Sequence, residues 1–386
     1  MTAIIAGVGM IPFAKPGASA PYDEMGEVAI RLALDDAGIA FEDVQQAYAS
    51  YVYGDSTSGQ RVIYRVGMTG IPIINVNNNC SSGSTALFLA RQAVESGVAE
   101  CVLAVGFEQM APGALGVVFP DRPSPLAEFD AATDRLIGDV DLPMTLRYFG
   151  GAGKAHMERF GTKMETFAKI RAKASRHAAN NPLSVFRKEM TTQDVMGAQV
   201  IWPGVITRPM ACPPTCGAAA ALVVSKGFAE KMGLDTTVQI RAQAMTTDKL
   251  LDPETGDMIE VVGARLSRDA ARMVYEKAGV GPDDIDAQNE LISYEALGLC
   301  AEGDGEKLVD DGDNTFGGKY VTNPSGGLLS KGHPLGATGL AQCFELTNQL
   351  RGKAENRQVD NARLALQHNV GLGGAAVVTL YERITA

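Results

Sequence analysis

Among the residues able to do nucleophilic or acid–base chemistry, the best placed is Cys80, in the stretch NVNNNCSSGSTALFLARQAVESG from Asn75 to Gly97. Ile71, Ile73, Ile74 and Val76 read as a buried strand running into it. Ser81, Ser82 and Gly83 supply turn and cap chemistry. From Ser84 onward Leu87, Ala90, Ala93 and Val94 recur at helical spacing. Cys80 therefore stands where a strand gives way to a helix N-terminus. Unpaired N–H groups and the helix dipole favour a thiolate there. The same N–H groups can face the oxyanion of a tetrahedral intermediate. A cysteine so placed is a candidate nucleophile, and the plainer alternative is a buried thiol that fills space.

The other chemistry-bearing residues are more scattered. Cys212 and Cys216 (CPPTC) have no second pair, and His156, His177, His333 and His368 lack metal-ligand spacing, so no metal is expected. Gly7-Val8-Gly9 lacks the third glycine of a dinucleotide loop, and YFGGAGK (148–154) lacks the first glycine of a phosphate loop. Lys154, Lys163, Lys169, Arg171, Lys173, Arg176 and His177 make one region locally basic. That is either a solvated helix face or a seat for a phosphate-bearing substrate.

Bulk properties narrow the classes. The 386 residues exceed one ordinary core, and 46% hydrophobic with 20% charged residues is a globular balance. A net charge of −11 without a Lys/Arg cluster argues against nucleic acid. Six dispersed cysteines suit a reducing compartment. With no leader, no C-terminal address and no membrane-length apolar run, a cytoplasmic protein without a membrane span is expected.

These residues must be positioned by alternating strands and helices. Ala3 to Val8 is strand, Tyr22 to Gly38 helix, Ala47 to Tyr53 strand, then the Cys80 unit and the strand CVLAVGF from Cys101. This alternation predicts an α/β layered core. Residues 110–207 break the rhythm and read as an inserted loop subdomain, after which 216–224 returns to a buried strand. Residues 1–235 form one half. The second half, 236–386, has a strand over 238–244, a helix over 264–279, a helix running to Leu350, and strands over 362–366 and 375–381.

The halves echo each other. CSSGSTAL from Cys80 matches HPLGATGL from His333, each followed by an apolar helix and a strand. Pseudo-symmetry would set Cys80 and His333 at equivalent helix starts facing one site, where an imidazole can activate a thiol. The repeat has a hole. After Pro282-Asp283-Asp284-Ile285-Asp286 the strand due next is missing or very short, since Ala287 and Gln288 lead straight into helix-like NELISY.

With Cys80, His333 and His368 in view, the chain resembles the thiolases, and most of all the sterol-carrier-protein (lipid-transfer-protein) type. The likeness spans nearly the whole chain through NVNNNCSSGSTALFLARQ, GDSTSGQR, NPSGGLLSKGHPLGATGLAQC and LQHNVGLGGAAVVTLY. It implies a thiolase fold of two pseudo-symmetric halves in α-β-α-β-α layers with an inserted loop subdomain. It also implies a homodimer or homotetramer acting on acyl-CoA and CoA, with the thioester as substrate and no separate cofactor. By the resemblance, Cys80 forms the acyl-enzyme and His333 activates it. His368 to Gly371 forms the loop that closes the site and helps bind the thioester oxygen, and the Cys80 N–H is the other oxyanion donor. Asn323 supports the loop before His333, while Lys154, Ser330 and Gly332 are the substrate-binding candidates. The separate sterol-carrier domain of some relatives is not expected.

The sequence departs from the family where relatives carry His-Asp-Cys-Phe, between Asp286 and Asn289, and so lacks the second acid/base. His368 is a conceivable substitute. Three functions follow: an acyl-CoA C-acyltransferase, impaired by the lost segment; a non-catalytic acyl-CoA or lipid binder; and a partner-dependent CoA-thioester aldolase using Tyr294 or Tyr320 as acid.

Overall fold

A computed structural model describes residues 2–384 apart from 114, 117, 252–255, 286 and 289–291. The first half runs β1 (Ala3–Met10), α1 (Tyr22–Ala37), β2 (Gln46–Ser50), α2 (Ser58–Tyr64), β3 (Ile73–Val76), α3 (Ser82–Glu95) and β4 (Cys101–Glu108). Next come α4 (Ala127–Ile137), α5 (Met144–Phe160), α6 (Met164–Ala179), α7 (Thr192–Met196) and a small hairpin of β5 (Val200–Trp202) and β6 (Ile206–Thr207). The chain then returns through β7 (Gly217–Ser225) and α8 (Lys226–Met232). The second half holds β8 (Val238–Thr246), α9 (Met258–Val261), α10 (Ala264–Ala278), β9 (Ala287–Gln288), α11 (Ile292–Ala296) and α12 (Gly305–Asp310). It closes with β10 (Val321–Thr322), α13 (Gly327–Ser330), α14 (Thr338–Arg351), β11 (Leu364–Gly371) and β12 (Ala375–Arg383).

Eight strands form one mixed sheet in the order β11-β12-β8-β1-β7-β4-β2-β3, the two halves meeting antiparallel where Ile4 faces Gln239. Fully buried strands carry apolar side chains on both faces, and each face finds its own helices. Ile4 and Ala6 pack outward with Met25, Ala29 and Ala33 of α1. Ala3, Ile5, Val8 and Met10 pack inward with Leu87, Ala90 and Val94 of α3 and Leu340, Leu346 and Leu350 of α14. On the far side, Ala242, Ala244, Val378 and Leu380 pack against Ala270, Ala271 and Val274 of α10. The layers are therefore helix, strand, paired helices, strand, helix, the predicted α-β-α-β-α stack. Gly7 and Gly9 lie within β1 because α1 crosses closely, where an added Cβ would meet Ala33 O at 2.2 Å and Ala29 O at 2.3 Å.

Pseudo-symmetry holds except at one edge. In the first half β2 lies parallel between β3 and β4, pairing over Ala47–Ser50. In the second half β9 is two residues long and pairs in parallel with β10 in a separate two-stranded sheet, Ala287 with Val321 and Gln288 with Thr322. The strand expected as missing or very short is thus reduced to Ala287–Gln288, while its flanks Asp286 and Asn289 lie outside the described residues.

The basic stretch is clamped to the second half. Lys163 pairs with Glu306, Lys169 with Asp310, and buried Lys173 donates to Thr322 Oγ1 at 2.6 Å. Arg171 donates to Ser330 Oγ at 2.6 Å, and His177 Nδ1 bonds Asn323 O at 3.0 Å. Arg351, at the end of α14, ties the first half to the last helix through Asp36 (2.6 Å), Asp235 (3.0 Å) and the carbonyls of Ile5 and Ala6. Among the described residues no helix is long and apolar enough to cross a membrane.

Candidate active site

Cys80 occupies the turn between β3 and α3, two residues before the helix starts. Ser81 Oγ donates to Asn78 O at 2.8 Å, Ser82 Oγ donates to Asn79 O at 2.6 Å, and Thr85 Oγ1 donates to Ser81 O at 3.0 Å. Asn79 takes φ +51°, the left-handed region that asparagine tolerates better than most residues. His333 occupies the equivalent turn before α14. There Thr338 Oγ1 donates to Pro334 O at 2.8 Å, repeating the Thr85–Ser81 bond in the other half. With its proton given to Pro334, the Thr338 oxygen accepts from His333 Nδ1 at 2.6 Å. That fixes the tautomer and leaves Nε2 as the nitrogen with a free lone pair.

The two turns converge because their helices touch. A Cβ on Gly339 would lie 2.2 Å from Ser84 N, and one on Gly83 would lie 2.9 Å from Gly336 O. From the strand side, a Cβ on Gly371 would lie 2.2 Å from Asn78 O and 2.8 Å from Ser81 Oγ. Asn79 Nδ2 donates to Leu372 O at 3.1 Å, fastening the closing loop to the cysteine turn. Segment 211–215 passes over the histidine turn, where Pro214 pairs with His333 and Thr215 fills the space a Gly332 side chain would need.

Electrostatics at the pair differ from the simple helix-dipole expectation. Burial pushes the Cys80 thiol up to about 12, and the Glu108 carboxylate adds to that rise. Backbone N–H groups of Leu372 and of Cys80 itself oppose it without winning. The resting cysteine is therefore a thiol, not a thiolate, because desolvation outweighs the helix end. Burial likewise holds His333 down at about 4, with the Lys331 charge contributing, so its imidazole is neutral and able to accept a proton.

The remaining candidates fall in different places. His368 sits on β11 between Gln367 and Asn369, both bonded to Ser84 on the α3 side. Strand alternation turns its ring to the opposite face, where Nε2 bonds Ser267 Oγ on α10 at 2.8 Å. Ser267 gives its own proton to Gly263 O at 2.7 Å, so His368 donates there and is not brought to Cys80 as a substitute base. Asn323 packs its side chain against Gly327, under the segment that leads to His333. Ser330 is fully buried and bonded to Arg171, and Gly332 is a backbone hinge with φ +111°, so neither presents a side chain to substrate. Lys154 makes an exposed i,i+4 pair with Glu158 at 3.3 Å. Tyr294 bonds Asn314 and Thr322, and Tyr320 donates to Asp283 at 2.9 Å. Among the described residues no group of three or more His, Cys, Asp or Glu converges on a metal position.

Residues that sequence reasoning missed also belong here. Glu108 holds the histidine turn from below through Gly336 N at 2.9 Å, and Cys212, exposed on the segment that crosses that turn, has its sulfur 3.4 Å from Leu328 O. The one available signal for Glu108 was a carboxylate ending an otherwise apolar strand.

Residues 3–227 match the thiolase N-terminal domain and residues 253–383 the thiolase C-terminal domain-like family. The chain belongs to the thiolase family. Within it the chain is of the sterol-carrier-protein type, being 54% identical over 393 residues to sterol carrier protein 2 of Oryctolagus cuniculus, covering 98% of this chain and 71% of that one. It is 32% identical to the benzoylsuccinyl-CoA thiolase subunit BbsB of Thauera aromatica, covering 99% and 97% of the two chains. The fold matches an Ltp2-ChsH2(DUF35) aldolase at TM-score 0.81 with 22% identity, covering 98% and 97%. It matches human mitochondrial 3-ketoacyl-CoA thiolase at 0.73 with 18% identity, covering 100% and 99%.

Proposed function

We propose that this protein is a thiolase-type acyl-CoA C-acyltransferase that forms an acyl-enzyme on Cys80, with its carbon–carbon step weakened. The observation that supports this reading best is the meeting of two equivalent helix starts at Gly83 and Gly339, one bearing the thiol and the other a neutral imidazole held by Thr338. In the acylation step the Cys80 sulfur attacks the thioester carbonyl and His333 Nε2 takes the thiol proton. The oxyanion is met by the Cys80 N–H and the closing loop after Gly371. The carbonyl re-forms, the CoA sulfur leaves, and the proton passes from His333 to it.

Cleaving a 3-oxoacyl-CoA demands more. The carbon–carbon bond breaks to an enolate that must be protonated at carbon, and condensation demands the reverse. His368 is turned toward Ser267, and the His-Asp-Cys-Phe segment is missing from the sequence. The reading therefore separates two rates. Exchange of labelled CoA into acetyl-CoA proceeds through Cys80, and thiolysis of acetoacetyl-CoA is slower by a large factor. Mass spectrometry after incubation with acetyl-CoA is expected to find the acetyl group on Cys80. If CoA esters bind but no exchange and no adduct are seen, the reading fails and a non-catalytic acyl-CoA binder replaces it.

A further inference from the structure

Glu108 is almost completely buried at the end of β4, and among the described residues no cation pairs with it. Its two oxygens collect three backbone donors: Oε2 accepts from Val52 N at 3.0 Å and Gly336 N at 2.9 Å, and Oε1 accepts from Tyr53 N at 2.9 Å. Gly336 is three residues beyond His333, and its carbonyl is held as well, by Ser50 Oγ at 2.8 Å. Both sides of the histidine turn's peptide chain are thus gripped from the first half. The titratable groups that feel Glu108 include the Tyr53 phenol and the Cys80 thiol, and the Gly336 peptide that Glu108 holds also meets the cysteine turn, its carbonyl lying 2.9 Å from where a Cβ of Gly83 would stand. We infer that Glu108 is a positioning residue of the acyl-transfer site, fixing the turn that carries His333 while its charge bears on the Cys80 sulfur.

This inference rests on the acyl-transfer reading for its kinetic consequence, but its electrostatic half can be measured without turnover. Burial raises the Glu108 carboxyl to about 7, so it ionises within the working range. A new negative charge beside a thiol disfavours the thiolate, by about one pH unit for a close pair. Glutamine keeps the size but has one acceptor oxygen for three N–H groups, so at least one turn loses its anchor.

The test is the rate of Cys80 alkylation by iodoacetamide from pH 6 to 9, read by peptide mass spectrometry, in wild type and Glu108→Gln. In wild type the logarithmic rate is expected to rise with pH, flatten near pH 7 over about one unit as the carboxyl ionises, and then rise again. In Glu108→Gln the flattening disappears, and above pH 8 the rate exceeds wild type by about tenfold. CoA exchange in the same variant is expected to lose kcat, by about 100-fold for a turn displaced by about 1 Å, with KM little changed. A variant profile that superimposes on wild type overturns the inference, even if kcat falls, because a purely structural role would leave the profile alone. Should the variant fail to fold, a wild-type profile of unbroken unit slope through pH 7 overturns it equally. Absence of exchange in wild type sinks the acyl-transfer reading, while the alkylation profile still decides the Glu108–Cys80 coupling.

Discussion

Replacing Gly339 by alanine probes the contact on which the shared site depends. Gly339 lies in the first turn of α14, and the new Cβ would stand 2.2 Å from Ser84 N and 2.3 Å from Ser84 Oγ. Ordinary contact begins near 3.4 Å, so α3 and α14 must part by roughly 1 Å. Overpacking of this kind costs about 1–3 kcal/mol. Parting the helices also strains a buried cluster in which Ser84 Oγ donates to Asn369 Oδ1 at 2.8 Å and Gln367 Nε2 donates to Ser84 Oγ at 2.7 Å and Gly339 O at 2.8 Å. Losing one of these bonds costs about 1–3 kcal/mol more. Alanine's better helix propensity returns about 1 kcal/mol, leaving a net destabilisation of about 1–5 kcal/mol. The same displacement separates the Cys80 and His333 turns and should slow CoA exchange about 100-fold. Urea denaturation at constant m-value and an exchange assay measure both. An alanine variant that gains about 1 kcal/mol from propensity alone and exchanges CoA at the wild-type rate would refute the reasoning, since the helix starts could not then be in contact.

Four further outcomes are expected. Gly371→Ala places a Cβ 2.2 Å from Asn78 O and should displace the closing loop, lowering exchange at least tenfold while Cys80 still alkylates. Cys80→Ser should abolish the acyl-enzyme while CoA-ester binding, read by calorimetry, persists. His177, His333 and His368 are each held near 4 against about 6.5 when unfolded, so the unfolded chain binds their protons first and stability falls as pH drops from 6.5 toward 4. Glu108, raised to about 7, acts in the opposite direction, as do Asp248 and Glu260, whose carboxyls burial raises, so the histidines are expected to show as an excess of proton uptake on unfolding near pH 5, measurable by potentiometry. Arg351→Met should cost about 3 kcal/mol in denaturant unfolding, because Asp36 and Asp235 lose a cation that is 2% exposed.

How much of this was legible in the sequence depends on what each feature rests on. The strands and helices around Cys80 and His333 follow from periodicity, and the matching strings CSSGSTAL and HPLGATGL correctly indicate equivalent helix starts. The shortened β9 follows from comparing the halves. The direction of the cysteine's acidity did not follow, because the helix end is visible in sequence and the desolvation that overrides it is a property of packing. His368 shows the same limit. Its neighbours Gln367 and Asn369 face α3, and only the strand's register reveals that the histidine faces Ser267. The basic residues of α6 could be counted but not paired, since Glu306, Asp310 and Thr322 lie more than a hundred positions away. Ser330 stands in the histidine segment, yet its hydroxyl is spent on Arg171.

The placement of α3 and α14 has a consequence for how the chain can be divided. Each half supplies one of these helices to the middle layer, and the apolar side chains of each are covered partly by the other half's strands. A polypeptide severed near residue 235 would leave two fragments, each with an uncovered greasy helix and neither able to fold by itself. Mixed together, they should recover structure cooperatively as a complementing pair, so that the smallest autonomous unit is the whole duplicated chain rather than the repeat that built it.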